Sequence, residues 1–119
     1  MSSFTNGLIC KWMPDIKKFK VFIPFEYHVG SEDSDEIIRI PEGYLSDLAS
    51  IPPPASWLIP KLGKHAQAGV LHDFMYEHHL YDRKTCDLIF LEAMEVLKVP
   101  RLKRILMFRA VRLFGWIFY

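Results

Sequence analysis

An α+β fold is what this chain predicts, with a β-rich part over residues 1–42, a proline-rich segment over 43–64 and a helical part over 65–119. Three observations carry that expectation. Aromatic and β-branched residues crowd the stretch from Phe19 to Ile40, four prolines interrupt the middle of the chain, and apolar residues recur at helical spacing beyond position 64. At 119 residues the chain fits one domain of common size, and a composition 50% hydrophobic and 14% aromatic is that of a folded core rather than a disordered segment.

Leu8 to Trp12 reads as a short first strand. Phe19 to Val29 alternates imperfectly and is broken or edged at Pro24, whose ring removes a ladder donor. Gly30 to Asp35 is a polar turn, and Glu36 to Ile40, closed by Pro41, reads as the returning strand of a hairpin or small antiparallel sheet. Gly43 to Lys64 then holds the four prolines and a single acid, Asp47. Regular structure is not expected there. A long irregular segment this apolar should pack down as a shaped wall, and such segments are usually functional. Asp47, set among Leu45, Leu48, Ala49 and Ile51, either caps local amides or serves a site.

The first helix is expected from near Lys64 to about His79. Residues 65, 69, 72 and 76 share one face of it, which places His65, Gly69, His72 and Tyr76 in a stripe with Asp73 beside them. Leu71 and Met75, paired at i,i+4, and Phe74 can anchor this helix in a core. A second helix starts after Asp82, a good N-cap, and runs to Val99 before Pro100. Stepping back by three and four from Phe90 and Leu91 lands on Asp87, so this carboxylate heads a core-facing stripe and needs a partner. Across a hairpin connected by His79 to Asp82, the candidates are His72, Tyr76 and Arg83. The third helix is expected from Arg101 to Phe118, its aromatic tail either covering the core or forming a contact surface.

Charge is balanced in sum, at +1, and uneven along the chain. Seven acids face one base, Arg39, between Glu26 and Asp47, whereas after Glu95 there are six bases and no acid. That basic segment could meet an acidic partner, phosphate or a membrane surface, or simply be solvated. Cys10 and Cys86 lack any CxxC spacing, so neither a disulfide framework nor a cysteine zinc site is expected. The first residues lack a signal-peptide pattern and no apolar run is long enough to span a bilayer, so the expected place of synthesis is the cytoplasm.

The order Gly43-Tyr-Leu-Ser-Asp47-Leu-Ala-Ser-Ile-Pro52, Gly63-Lys64, His72-Asp73-Phe-Met-Tyr76, then Arg83, Asp87 and Phe90, resembles a family of small phage and prophage proteins of unknown function, across roughly residues 40 to 115. This resemblance implies a phage or prophage origin and supplies no activity; other phage proteins as partners and a virion or tail location are expectations added to that origin. Within it, His-Asp-Phe-x-Tyr on one helix followed by an Asp and a Phe on the next is similar to the pattern of secreted phospholipases A2 of the bacterial and fungal type. That second resemblance implies His72 as general base, Asp87 as its orienting partner, and a calcium site made by Asp73, Asp47 and the Leu48 carbonyl. The chain departs from that pattern in lacking the paired cysteines, in its Pro-rich segment before His72 and in its shorter helical hairpin.

The residues alone point the same way. A histidine held by a buried carboxylate can take a proton from water at neutral pH, and Asp47 and Asp73 offer hard oxygens suited to Ca²⁺ or Mg²⁺. Three readings follow. One is a metal-assisted hydrolase acting on a lipid or cell-envelope ester through His72 and Asp87, with Tyr76 and His65 in support. A second is a non-enzymatic phage tail or baseplate component in which these groups form a buried network. The third, a zinc-dependent cell-wall peptidase using His65 and His72 with Asp73 or Asp47, ranks lower, because i,i+7 spacing separates the two rings by about 10 Å along a helix. Nucleic-acid binding ranks below all of these, since no helix-turn-helix pattern accompanies the basic segment.

Overall fold

The structure is a computed structural model that describes residues 3–31, 33–46 and 64–117. Six strands precede three helices, as an α+β fold requires: β1 (Ser3–Phe4), β2 (Cys10–Met13), β3 (Lys18–Val21), β4 (Phe25–His28), β5 (Ile37–Ile40), β6 (Leu45–Ser46), α1 (Ala66–His78), α2 (Arg83–Val96) and α3 (Arg101–Phe114), the last followed by a 3₁₀ turn at Gly115–Ile117. No helix among the described residues is long and apolar enough to cross a membrane.

Pro24 divides what reads in sequence as one strand, and the two pieces join different sheets. β3 lies between β2 and β6, whereas β4 lies between β1 and β5, and all of these pairings are antiparallel. The second sheet shows why alternation matters. Phe25 opposes Ile40 and Tyr27 opposes Ile38, and all four side chains are buried on one face. On the other face the intervening pair, Glu26 and Arg39, makes an ion pair at 2.8 Å. Strand β6 corrects the expectation of an irregular segment from Gly43 onward. Gly43 at φ 86° turns the chain after Pro41, and Leu45–Ser46 then pairs with Phe19 and Lys20. Residues 47–63, including Asp47, Leu48 and the four prolines, lie outside the described residues.

The helices follow their local signals closely. Asp82 caps α2 by accepting from the Thr85 amide at 3.3 Å, and His79 ends α1 in the left-handed conformation at φ 49°. Two ends fall short of expectation. Helix α2 stops at Val96 rather than Val99, because Leu97 and Lys98 form a turn with Lys98 at φ 60° that redirects the chain into Pro100 and α3. Helix α3 gives way at Gly115 to the 3₁₀ turn.

Helix α1 is the central helix. From Ala66 to His72 every residue is buried, Leu71 and Met75 fully so, and it packs against β5, β6 and α2. Polar clasps join helices to the β part at three places: Gln67 Nε2 donates to the Asn6 carbonyl at 2.7 Å, Tyr44 to Glu77 at 2.8 Å and Tyr27 to Glu92 at 2.6 Å. The core between them, with Tyr27, Phe25, Phe90, Met75 and Met94 at its centre, holds α1 rigid.

Candidate functional site

His72 and Asp87 meet where the helical hairpin would bring them. His72 stands on the inner face of α1 and Asp87 one turn into α2, and the antiparallel packing puts His72 Nε2 2.8 Å from Asp87 Oδ1. His72 is 5% exposed and Asp87 0%. The His72 ring lies between Tyr76 and Phe90, with centroids at 4.1 and 4.6 Å. Tyr76, one turn on from His72, donates its hydroxyl to the same Oδ1 at 2.5 Å. The stripe of His65, Gly69, His72 and Tyr76 expected on α1 is therefore buried along its whole length.

A third donor comes from outside the hairpin. Arg112 Nη1 on α3 lies 2.8 Å from Asp87 Oδ2, so each carboxylate oxygen is occupied. Arg83, one of the partners expected for Asp87, is employed differently: its guanidinium donates to the carbonyls of Val111 at 3.1 Å and Arg112 at 2.8 Å. It thus holds the last turn of α3, where carbonyls lack helical partners, and keeps Arg112 aimed at Asp87. Gly115 permits the approach, since a Cβ there would come within 2.7 Å of the Tyr76 hydroxyl and 3.1 Å of Arg83 Nη1.

These contacts fix the protonation states. Burial by itself would raise the pKa of Asp87, but hydrogen bonds from His72, Tyr76 and Arg112 outweigh it and hold the carboxyl below its ordinary value. Burial lowers the pKa of His72, and the opposing pull of Asp87 does not cancel this. At neutral pH the pair is a neutral imidazole beside a carboxylate. An ionised carboxylate can only accept, so Nε2 carries the hydrogen and Nδ1 keeps the lone pair. The Tyr76 phenol, buried and bound to an anion, has its pKa raised and stays protonated, donating to Asp87.

Asp73 points to a different neighbourhood. It is half-buried, and its charge, with that of Glu77 one turn later, bears on the Tyr44 hydroxyl; burial first and these two acids next push the Tyr44 pKa up. Asp47 and Leu48, expected to complete a cation site with Asp73, lie outside the described residues. Among the described residues no group of three or more histidine, cysteine or acidic side chains is close enough to hold a metal ion. His65 is buried at the N-cap of α1, two turns before His72. An apolar surface cavity of about 580 Å³ opens beside Phe74, between Phe25, Arg39 and Ile40, and its lining contains neither His72 nor Asp87.

Arg112, Tyr44, Glu77 and Gly115 are the members of this region that sequence reasoning did not pick out. Arg112 had no signal that set it apart from the other bases of α3, and Tyr44 and Glu77 had none, being 33 residues apart.

A family model described as "Protein of unknown function (DUF1353)" matches residues 19–111, which takes in most of β3 through most of α3 and includes His72, Tyr76, Arg83 and Asp87 but stops one residue short of Arg112. No curated protein matches the chain. No solved structure matches it either.

Proposed function

The chain belongs to the DUF1353 family, whose description assigns no activity, and we propose that in this member His72 and Asp87 form the base of a small hydrolase of phage or prophage origin acting on a lipid or cell-envelope ester. The observation that carries this reading is the 2.8 Å contact between His72 Nε2 and Asp87 Oδ1, made by a neutral ring and an ionised carboxylate. With Nε2–H committed to Asp87, Nδ1 is the basic atom. It takes a proton from water as the water oxygen attacks the ester carbonyl, and returns that proton to the alcohol oxygen as the acyl carbon–oxygen bond breaks. Asp87 orients the ring and balances the positive charge it gains in the transition state. The positive charge of Arg83 adds to desolvation in keeping the resting imidazole neutral.

A hard divalent cation belongs to this proposal. Asp73, with Asp47 and the Leu48 carbonyl, supplies the oxygen chemistry that Ca²⁺ or Mg²⁺ takes, and such an ion polarises an ester carbonyl when bound. The test is hydrolysis of a chromogenic acyl ester and of phosphatidylglycerol vesicles by the full chain, with Ca²⁺ and with chelator. His72→Asn and Asp87→Asn are each expected to lower turnover by about 100-fold or more, with His72→Asn still folded by circular dichroism. Turnover unchanged by His72→Asn, or absent in the wild type on both substrates, overturns the assignment.

A second reading is favoured by one specific observation. Asp87 accepts from α1 through His72 and Tyr76 and from α3 through Arg112, so one buried carboxylate locks three helices together. A non-enzymatic virion component, such as a tail or baseplate protein, would use the cluster in this way. Co-purification with virions together with a catalytically silent His72 would support it.

A further inference from the structure

Helix α3 buries one face and leaves another to solvent, and that solvent face is apolar except for Arg109 at its middle. Met107, Ala110 and Val111 point into the core. Leu102, Leu106, Leu113 and Trp116 point out, with Leu102 82%, Leu113 66% and Trp116 67% exposed. With Arg109 among them, positions 102, 106, 109 and 113 run in steps of four and three that keep one stripe on one side of α3, and exposed Trp116 follows in the 3₁₀ turn. Arg101 and Lys103, one residue to either side of Leu102, lie about 100° round the helix on each flank. Arg101, Arg109 and Lys98 are exposed, and Lys103 is partly so.

We infer that this outer face of α3 docks on an anionic lipid bilayer, lying in the interface with Leu102, Leu106, Leu113 and Trp116 inserted among the acyl chains and Arg101, Lys103 and Arg109 at the headgroup phosphates. Charge chooses the occupant. Of the six bases after Glu95, Arg112 is held by Asp87 and Arg104 lies 4.0 Å from Glu95, while Arg101 and Lys103 flank the stripe and Arg109 sits in its middle, so a second copy stacked on this face would oppose base to base. Nucleic acid would satisfy the bases but leave four large apolar side chains against phosphate and water. An anionic bilayer satisfies both, because basic side chains can run their apolar stems along the stripe and keep their heads at the phosphates. The docking does not depend on the hydrolase reading, so His72→Asn is expected to bind vesicles as the wild type does.

Co-sedimentation of the full chain with sonicated vesicles tests it, comparing phosphatidylglycerol mixed with phosphatidylcholine against phosphatidylcholine alone. The expected result is binding to the anionic vesicles, weaker by about tenfold or more in Arg101→Glu/Arg109→Glu and in Leu102→Ser/Leu113→Ser. Both double variants change exposed positions and should melt like the wild type. Equal binding to both vesicle types, no binding to either, or binding that survives Leu102→Ser/Leu113→Ser overturns the inference. So does tighter binding to duplex DNA than to the anionic vesicles, or a dimer in sedimentation velocity that Leu102→Ser abolishes.

Discussion

Asp87 and Glu92 are two carboxylates on the same helix, five residues apart, and both tie α2 to a neighbour. Glu92 faces the β part and takes the Tyr27 hydroxyl at 2.6 Å and the Gly30 amide at 3.1 Å. Asp87 faces α1 and α3 and takes an imidazole, a phenol and a guanidinium. The Tyr27 hydroxyl and Gly30 amide held by Glu92 are neutral and do not titrate near neutral pH, whereas the donors of Asp87 include a buried imidazole whose proton can move. Both acids clamp the fold; only Asp87 clamps it through a group capable of acid–base chemistry. A buried carboxylate is therefore no sign of a site by itself, and what it holds decides the matter.

The comparison can be broken in three places. Asp87→Ala should cost the most, about 3 kcal/mol or more, because it strands a buried partner set and unties three helices at once; a urea midpoint within error of wild type would show that Asp87 does not clamp α3. Acid should act next. The folded pKa of His72 lies below its unfolded value of about 6.5, so the unfolded chain binds the extra proton. Stability from this group is present above that pH and is lost as pH falls toward the folded value, with a slope of at most about 1.4 kcal/mol per pH unit. Asp87, also lowered, adds a separate loss only as pH falls below the ordinary carboxylate range. Urea midpoints between pH 7.5 and 5 should therefore fall in the wild type and flatten in His72→Gln; parallel curves would remove His72 from the titration. Glu92→Gln should be mildest, about 1 kcal/mol, since an amide oxygen can still accept from Tyr27 and Gly30, and it should leave any ester hydrolysis unchanged. A loss of hydrolysis there would mean that the two carboxylates are not separable.

Much of the fold was legible because its signals are local. Asp82 caps the amide three residues on, Pro100 cannot continue a helix, and Pro24 cannot donate to a ladder, so each marks a boundary without help from the rest of the chain. Strand β6 was illegible, as two residues pairing with β3 across 25 positions carry no periodicity of their own. The division into two sheets was hidden for the same reason.

The His72–Asp87 pair was legible too, and the reason is geometric. Helical spacing places His72 and Tyr76 on one face and Asp87 at the head of another, and a connection of four residues, 79–82, leaves antiparallel helices little choice of register. Sequence alone thus determined the three-helix order, the β-hairpin and a short set of partners for Asp87 (His72, Tyr76 and Arg83), of which the first two meet it. Tertiary structure decided that Arg112, not Arg83, completes the carboxylate, that Asp73 turns toward Tyr44 and Glu77, and that the apolar stripe of α3 faces outward. The first and last depend on how α3 leaves the turn at Lys98 and rolls against α2, and the second on how α1 lies against the β part, all set by packing between side chains far apart in the chain and by no local pattern.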